Sequence, residues 1–143
     1  MFKYSLITGI IASIFGTIIS VSYISVFKYS ALEADFTEQA SISYLFGINA
    51  LIGLLNSLVY FGFSKLFKKE SLVDFTNGFL LSAVVIAFSL MLMFKVDAEL
   101  TFKNENAELF KEYFFFILAP IPFFSALSWF TFKSLFICSN KSD

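Results

Sequence analysis

Four stretches of the chain carry no charged side chain: Tyr4–Phe27, Gln39–Ser64, Phe75–Phe94 and Tyr113–Phe132. Their lengths are 24, 26, 20 and 20 residues. A helix rises about 1.5 Å per residue, so about 20 residues cross the hydrocarbon layer of a bilayer. Every window reaches that length. A helix satisfies its own backbone, which lipid cannot do, and no window alternates polar and apolar residues like a barrel strand. The windows therefore predict an all-α fold: a four-transmembrane-helix bundle, antiparallel and up-down, forming one integral membrane domain over residues 1–143. Charged residues are 15% of the chain, where a soluble domain carries about a quarter. The six tyrosines and Trp129 gather near window ends, as interfacial aromatics do. The first window exceeds the roughly 7–15 apolar residues of a signal-peptide core, so it is expected to persist as a span.

Lysine placement sets the expected orientation. Lys3, Lys65, Lys68, Lys69, Lys133 and Lys141 fall on one side, against Lys28, Lys95, Lys103 and Lys111 on the other. The excess favours cytoplasmic N- and C-termini. The opposite loops are acidic on balance, through Glu33, Asp35 and Glu38 in one and Asp97, Glu99, Glu105, Glu108 and Glu112 in the other. Asp35 with Glu38 is expected to cap the second span, and Ser71 with Asp74 to form a capping box on the third. Asn104 and Asn106 precede "AELFKEYFFF", which is expected to start the fourth helix a turn above the bilayer.

Helical periodicity sorts the faces. In the first span Ser5, Gly9, Ala12, Ser13, Gly16 and Ser20 share one stripe. Its core, Gly9, Ser13, Gly16 and Ser20, is a small-residue packing seam that lets another backbone come close. Packing within the chain is preferred to a dimer seam, because four helices must pack in any case. In the second span Asn49, Gly53, Asn56 and Tyr60 share a face. An amide in a medium that cannot hydrogen-bond costs roughly 4–8 kcal/mol, so both asparagines must face protein or a hydrated crevice. In the third span Gly78, Ser82 and Ser89 are expected to form one face and Ala83 and Ala87 a second.

The fourth span carries "ILAPIPFFSALSWF". Pro120 and Pro122 lack the N–H groups that would bond to Phe116 and Leu118, so the helix should kink there. Asn49 lies within about 3 Å of Leu118 in depth by helix rise, which makes the Asn49 amide the expected donor to a freed carbonyl.

The chain has no His, which removes the commonest acid–base group and metal ligand. Its single cysteine, Cys138, cannot form an internal disulfide or a cysteine metal cluster. No charged residue lies within any window, which weighs against ion-coupled transport. A net charge of −1 offers no field for nucleic acid. No catalytic residue, metal ligand or cofactor is expected. The chain is read as a non-enzymatic multi-pass protein acting through helix–helix contacts, as a subunit or accessory factor. Its expected partners are the lipid bilayer and a second copy or another membrane protein. The alternative is an oligomeric transporter or channel for a neutral or weakly polar solute, with its path past Asn49, Asn56, Tyr60 and the Pro120–Pro122 break.

The stretches "FKYSLITGIIASIFGTIIS", "SLVDFTNGFLLSAVV" and "PIPFFSALSWF" resemble small four-pass bacterial membrane proteins of unknown function. The resemblance is one of style over the whole chain. It implies an inner-membrane location and says nothing about activity.

Overall fold

The computed structural model describes residues 2–30, 33, 35–95 and 107–138. Asp97, Glu99, Asn104, Glu105, Asn106 and Lys141 lie outside the described residues, as does most of the second acidic loop. The helices are α1 (Phe2–Lys28), α2 (Ile42–Leu66), α3 (Glu70–Lys95), α4 (Ala107–Leu118) and α5 (Ile121–Lys133), followed by a π-helical turn over Ser134–Cys138. Four helical stretches are long and apolar enough to cross a membrane, the last running Phe115–Phe136 through the α4–α5 break. The protein is an all-α four-helix bundle and a multi-pass membrane protein. The helices run past the expected spans except at the start of the second, where α2 begins at Ile42 and not at Gln39; charged residues at the interface continue a helix without entering lipid.

α1, α2 and α5 form the close-packed part. α1 and α2 run antiparallel with a four-residue register: Ser5 meets Ser57, Gly9 meets Gly53 and Ser13 meets Asn49. The small residues explain the closeness. A Cβ on Gly9 would lie 2.7 Å from the Gly53 carbonyl oxygen, and one on Gly53 would lie 2.6 Å from the Gly9 oxygen. Each glycine α-hydrogen thus points at the partner helix's carbonyl, a weak C–H···O contact that recurs where helices touch by their backbones. Hydroxyls on α1 are satisfied in place. Thr8, Ser13, Thr17, Ser20, Ser22 and Ser25 each donate to the carbonyl four residues back. That local bond is what lets a helix rich in Ser and Thr sit in hydrocarbon.

Apolar clusters sit at the two ends and at the α3 contact. Ile24, Phe36, Leu45, Phe110, Ile117 and Ile121 fill the end remote from the lysine-rich loop. Ala12, Tyr60, Val73 and Trp129 fill the basic end. Ile52, Leu81, Val85 and Ala126 join α3 to the rest.

Two expected caps are not formed. Ser41, not Asp35 or Glu38, caps α2, its Oγ accepting from the Tyr44 N–H at 3.3 Å. Asp35 is occupied in the preceding loop, where it accepts from the Thr37 N–H and hydroxyl and pairs with Lys28 at 3.1 Å. α3 begins at Glu70, so Ser71 lies inside the helix and Asp74 is drawn to Lys133 instead. The α3 stripe that docks on the bundle is neither of the two small-residue faces: Ser82, Ala83 and Ala87 are exposed, and the buried positions among the described residues are Val73, Asn77, Leu81 and Val85, one residue per turn. What selects that stripe is the partner surface, where Asn56 and Ile52 wait for it.

Candidate functional site

Polar residues form a ladder along the inside of the bundle. At its centre is Asn49, wholly buried where α1, α2 and α5 meet. Its Nδ2 donates to Ser20 Oγ at 3.0 Å and to the Leu45 carbonyl at 2.8 Å. Its own carbonyl accepts from Ser125 Oγ at 3.0 Å and lies 3.2 Å from Ser13 Oγ, whose single proton is shared with the shorter bond to Gly9. Its Oδ1 has no hydrogen-bond donor among the described residues. A Cβ on Gly16 would stand 2.6 Å from that oxygen and 2.9 Å from Ser125 Cα, so Gly16 is the gap through which three helices touch. Seven residues on, at the next level, Asn56 faces α3. Asn77 Nδ2 donates to Asn56 Oδ1 at 2.7 Å.

Ser57 is a second junction. Ser5 and Ser57 exchange bonds, Ser5 Oγ to the Ser57 carbonyl at 2.9 Å and Ser57 Oγ to the Ser5 carbonyl at 2.7 Å. The same Ser57 Oγ accepts from Trp129 Nε1 at 3.0 Å. The Trp129 ring packs on Tyr60 with centroids 5.1 Å apart. Above that pair, Lys133 Nζ sits 5.1 Å from the Tyr60 ring centre and pairs with Asp74. The Lys133 side chain is almost fully buried and that of Asp74 is more than a third exposed. The stem of the lysine covers apolar surface while its head reaches the aqueous edge, where a carboxylate and a ring face meet it.

The proline break resolves differently from the sequence expectation. α4 ends at Leu118 and α5 begins at Ile121, with Pro122 in its first turn, where a missing N–H costs nothing. The Phe116 carbonyl that Pro120 leaves free is taken by the Tyr23 hydroxyl at 2.6 Å. Asn49 does not serve it. The reason is prior use: the two Asn49 Nδ2 hydrogens already go to Ser20 Oγ and to the Leu45 carbonyl.

Asn49, Gly53, Asn56 and Tyr60 therefore share one helix but serve different neighbours: α1 and α5, α1, α3, and α5. Gly9, Ser13, Gly16 and Ser20 all lie on the intramolecular α1 contact. Sequence reasoning passed over Asn77 and Ser125, took Asp74 only as a cap and Lys133 only as an orienting charge, and gave Ser57 no bonding role. A third asparagine within an uncharged window was a readable signal for Asn77, since the cost that turns Asn56 inward applies to it equally. Asp74 and Lys133 fell one residue outside their windows, so the pair was hidden by where the windows ended. No family model, curated protein or solved structure matches this chain.

Proposed function

We propose that the protein is a non-enzymatic accessory subunit of a bacterial inner membrane, working through helix–helix contacts with both termini cytoplasmic. The observation that carries this reading is how the polar groups in the spans are used. Asn49, Asn56 and Asn77 are each at most 2% exposed, and each bonds to a helix of the same chain through one of its two amide atoms. The small-residue face of α1 is consumed in the same way. What remains for a partner is α3. Phe75 and Phe79 stack on its outer face, about 70% exposed each, and Ala83 and Ala87 lie exposed one turn apart. Small residues at that spacing admit a second helix at close range. Five lysines, Lys3, Lys65, Lys68, Lys69 and Lys133, gather at one end, which supports placing that end in the cytoplasm. The solute-path alternative is weakened by the same geometry, because Asn49, Asn56 and Tyr60 point to different neighbours and line no common passage among the described residues.

The test is a photo-crosslinking amino acid placed in living membranes at Ala83, at Ala87 and, as a control, at the exposed α1 residue Ile18. The reading expects a discrete protein adduct, to a second copy or to one other membrane protein, from the α3 positions and none from Ile18. Lipid adducts alone at all three positions would count against it.

A further inference from the structure

Lys3 is the second residue of α1 and Lys65 the second-last of α2, while Lys68 and Lys69 stand in the short turn before α3. All four are exposed. Aromatic contacts draw the first two together. The Phe61 ring lies 4.8 Å from the Phe2 ring and 4.5 Å from Lys65 Nζ. Lys3, next to Phe2, and Lys65, one turn after Phe61, therefore leave adjoining stretches of backbone. The turn is pinned as well. The Phe67 N–H donates to the Phe63 carbonyl at 2.9 Å, and their two rings pack. The Lys69 carbonyl accepts from the Leu72 and Val73 N–H groups as α3 starts.

Charge at this end is not cancelled from within. Lys133 and Asp74 neutralise each other, which leaves Glu70 against Lys3, Lys65, Lys68 and Lys69 among the described residues. The opposite end differs: Lys28 is paired with Asp35, and Glu33, Glu38 and Glu112 are exposed. Depth and charge together select the occupant. Each of the four lysines lies no more than two residues from the end of a span, so its ammonium group stays at the level of the lipid phosphates. A lysine cluster directly at the mouth of spans attracts anionic headgroups, at about fivefold in binding for each charge. We propose that the basic end binds the headgroup of an anionic phospholipid through Lys3, Lys65, Lys68 and Lys69. The site works in whichever leaflet that end faces, and it does not use the α3 face offered to a protein partner.

The experiment mixes the full chain in detergent with equal amounts of dioleoyl phosphatidylglycerol and dioleoyl phosphatidylcholine and compares the two lipids that co-elute with the protein. The double variant Lys68→Gln, Lys69→Gln removes two exposed charges and keeps the backbone carbonyl on which α3 starts. Lys28→Gln removes a charge at the opposite end as a control. The wild type should hold the anionic lipid over the zwitterionic one by at least about tenfold. The double variant should lower that ratio at least about fivefold, and Lys28→Gln should leave it within about twofold. Raising salt from about 0.1 M to about 1 M should bring the wild-type ratio toward one, because the screening length falls from about 10 Å to about 3 Å. Unchanged helicity shows that both variants remain folded. A wild-type ratio near one overturns the proposal, as does an equal fall in Lys28→Gln and the double variant. A ratio unmoved in the double variant overturns it too, and a discrete protein adduct from a photo-crosslinker at Lys68 in living membranes would then give the patch to an acidic protein.

Discussion

α1 and α3 are both apolar spans with charge only near their ends, yet they are held in opposite ways. Eight of the nine buried residues of α1 are Gly, Ala, Ser or Thr. Its contact with α2 is therefore backbone against backbone, with glycine α-hydrogens facing carbonyls. The described buried residues of α3 are Val73, Asn77, Leu81 and Val85, so it docks by side-chain tips along one stripe. Side chains hold helices apart, and clefts open on both sides of α3 as a result. In lipid no hydrophobic force separates the two arrangements, because tails are as apolar as leucine. What differs is contact area and hydrogen bonding. The α1–α2 pair has both, and α3 depends on an amide bond to Asn56 and an ion pair to Lys133.

The largest way to break this comparison is to force the backbone contact apart. Gly9→Leu places a side chain on a carbonyl 2.7 Å from its Cβ, and neither helix backbone can step aside without losing the Gly53 contact. Overpacking costs about 1–3 kcal/mol where side chains can give, so a backbone clash should cost about 3 kcal/mol or more. The check is reversible unfolding in mixed micelles beside Gly62→Leu, which meets open space and should move stability by less than about 0.5 kcal/mol. Equal stability of the two variants would refute the close-contact account of α1.

A smaller effect tests how α3 is tied. Asp74→Ala leaves the Lys133 cation in a site where its side chain is 8% exposed, with the Tyr60 ring as its remaining contact. Lys133→Met leaves a carboxylate that is 39% exposed and close to water. Breaking a fully buried pair costs about 3–5 kcal/mol, and the partial exposure of Asp74 lowers that figure. The expected losses are about 2 kcal/mol for Asp74→Ala and under about 1 kcal/mol for Lys133→Met. Hydrogen exchange should localise the first: α3 amides near Asp74 lose protection while those of α1 and α2 keep theirs. Equal costs for the two variants, or uniform loss of protection, would show that the ion pair does not tether α3 separately.

The same contrast explains what the sequence made legible. The spans could be read because each excludes charge, and exclusion is a local property of the chain. The α1 face could be read because its small residues repeat at helical spacing, and the helix carries the whole pattern itself. The α3 face could not. Gly78, Ser82 and Ser89 pointed one way, while the stripe in use is chosen by Asn56 and Ile52 on another helix. Asp74 followed the same rule, since a capping box is a local bond and Lys133, 59 residues away, makes a better partner. The Phe116 carbonyl went to Tyr23 for a like reason: the need for a donor was legible at Pro120, but which side chain lay within reach was set by the packing of α1.

The weakest expected effect concerns the loop that ends the α1–α2 pair, where the tight contact gives way to water. Asp35 is held well below the ordinary carboxyl value of 3.8, at about 2, first by the Thr37 hydroxyl, then by the Thr37 N–H, and then by Lys28. Its folded-state value is depressed, so whatever it contributes is present above the unfolded value and lost as pH falls through about 2. The Thr37 amide donates to this carboxylate at 3.1 Å and reports on it directly. Its hydrogen-exchange protection factor should hold between pH 7 and pH 4 and fall between about pH 4 and pH 2, where protonation removes the charge that the three donors favour. Asp35→Asn keeps an acceptor without a titrating proton, so its protection should be lower at pH 7 and level across the range. A high-salt series separates the causes, because the exposed Lys28 partner is screened while the two Thr37 bonds, made within one turn, are not. If protection of Thr37 is flat with pH in the wild type, the loop is held by Phe36 in its apolar cluster alone, and the tight half of the molecule extends past the helix end without help from charge.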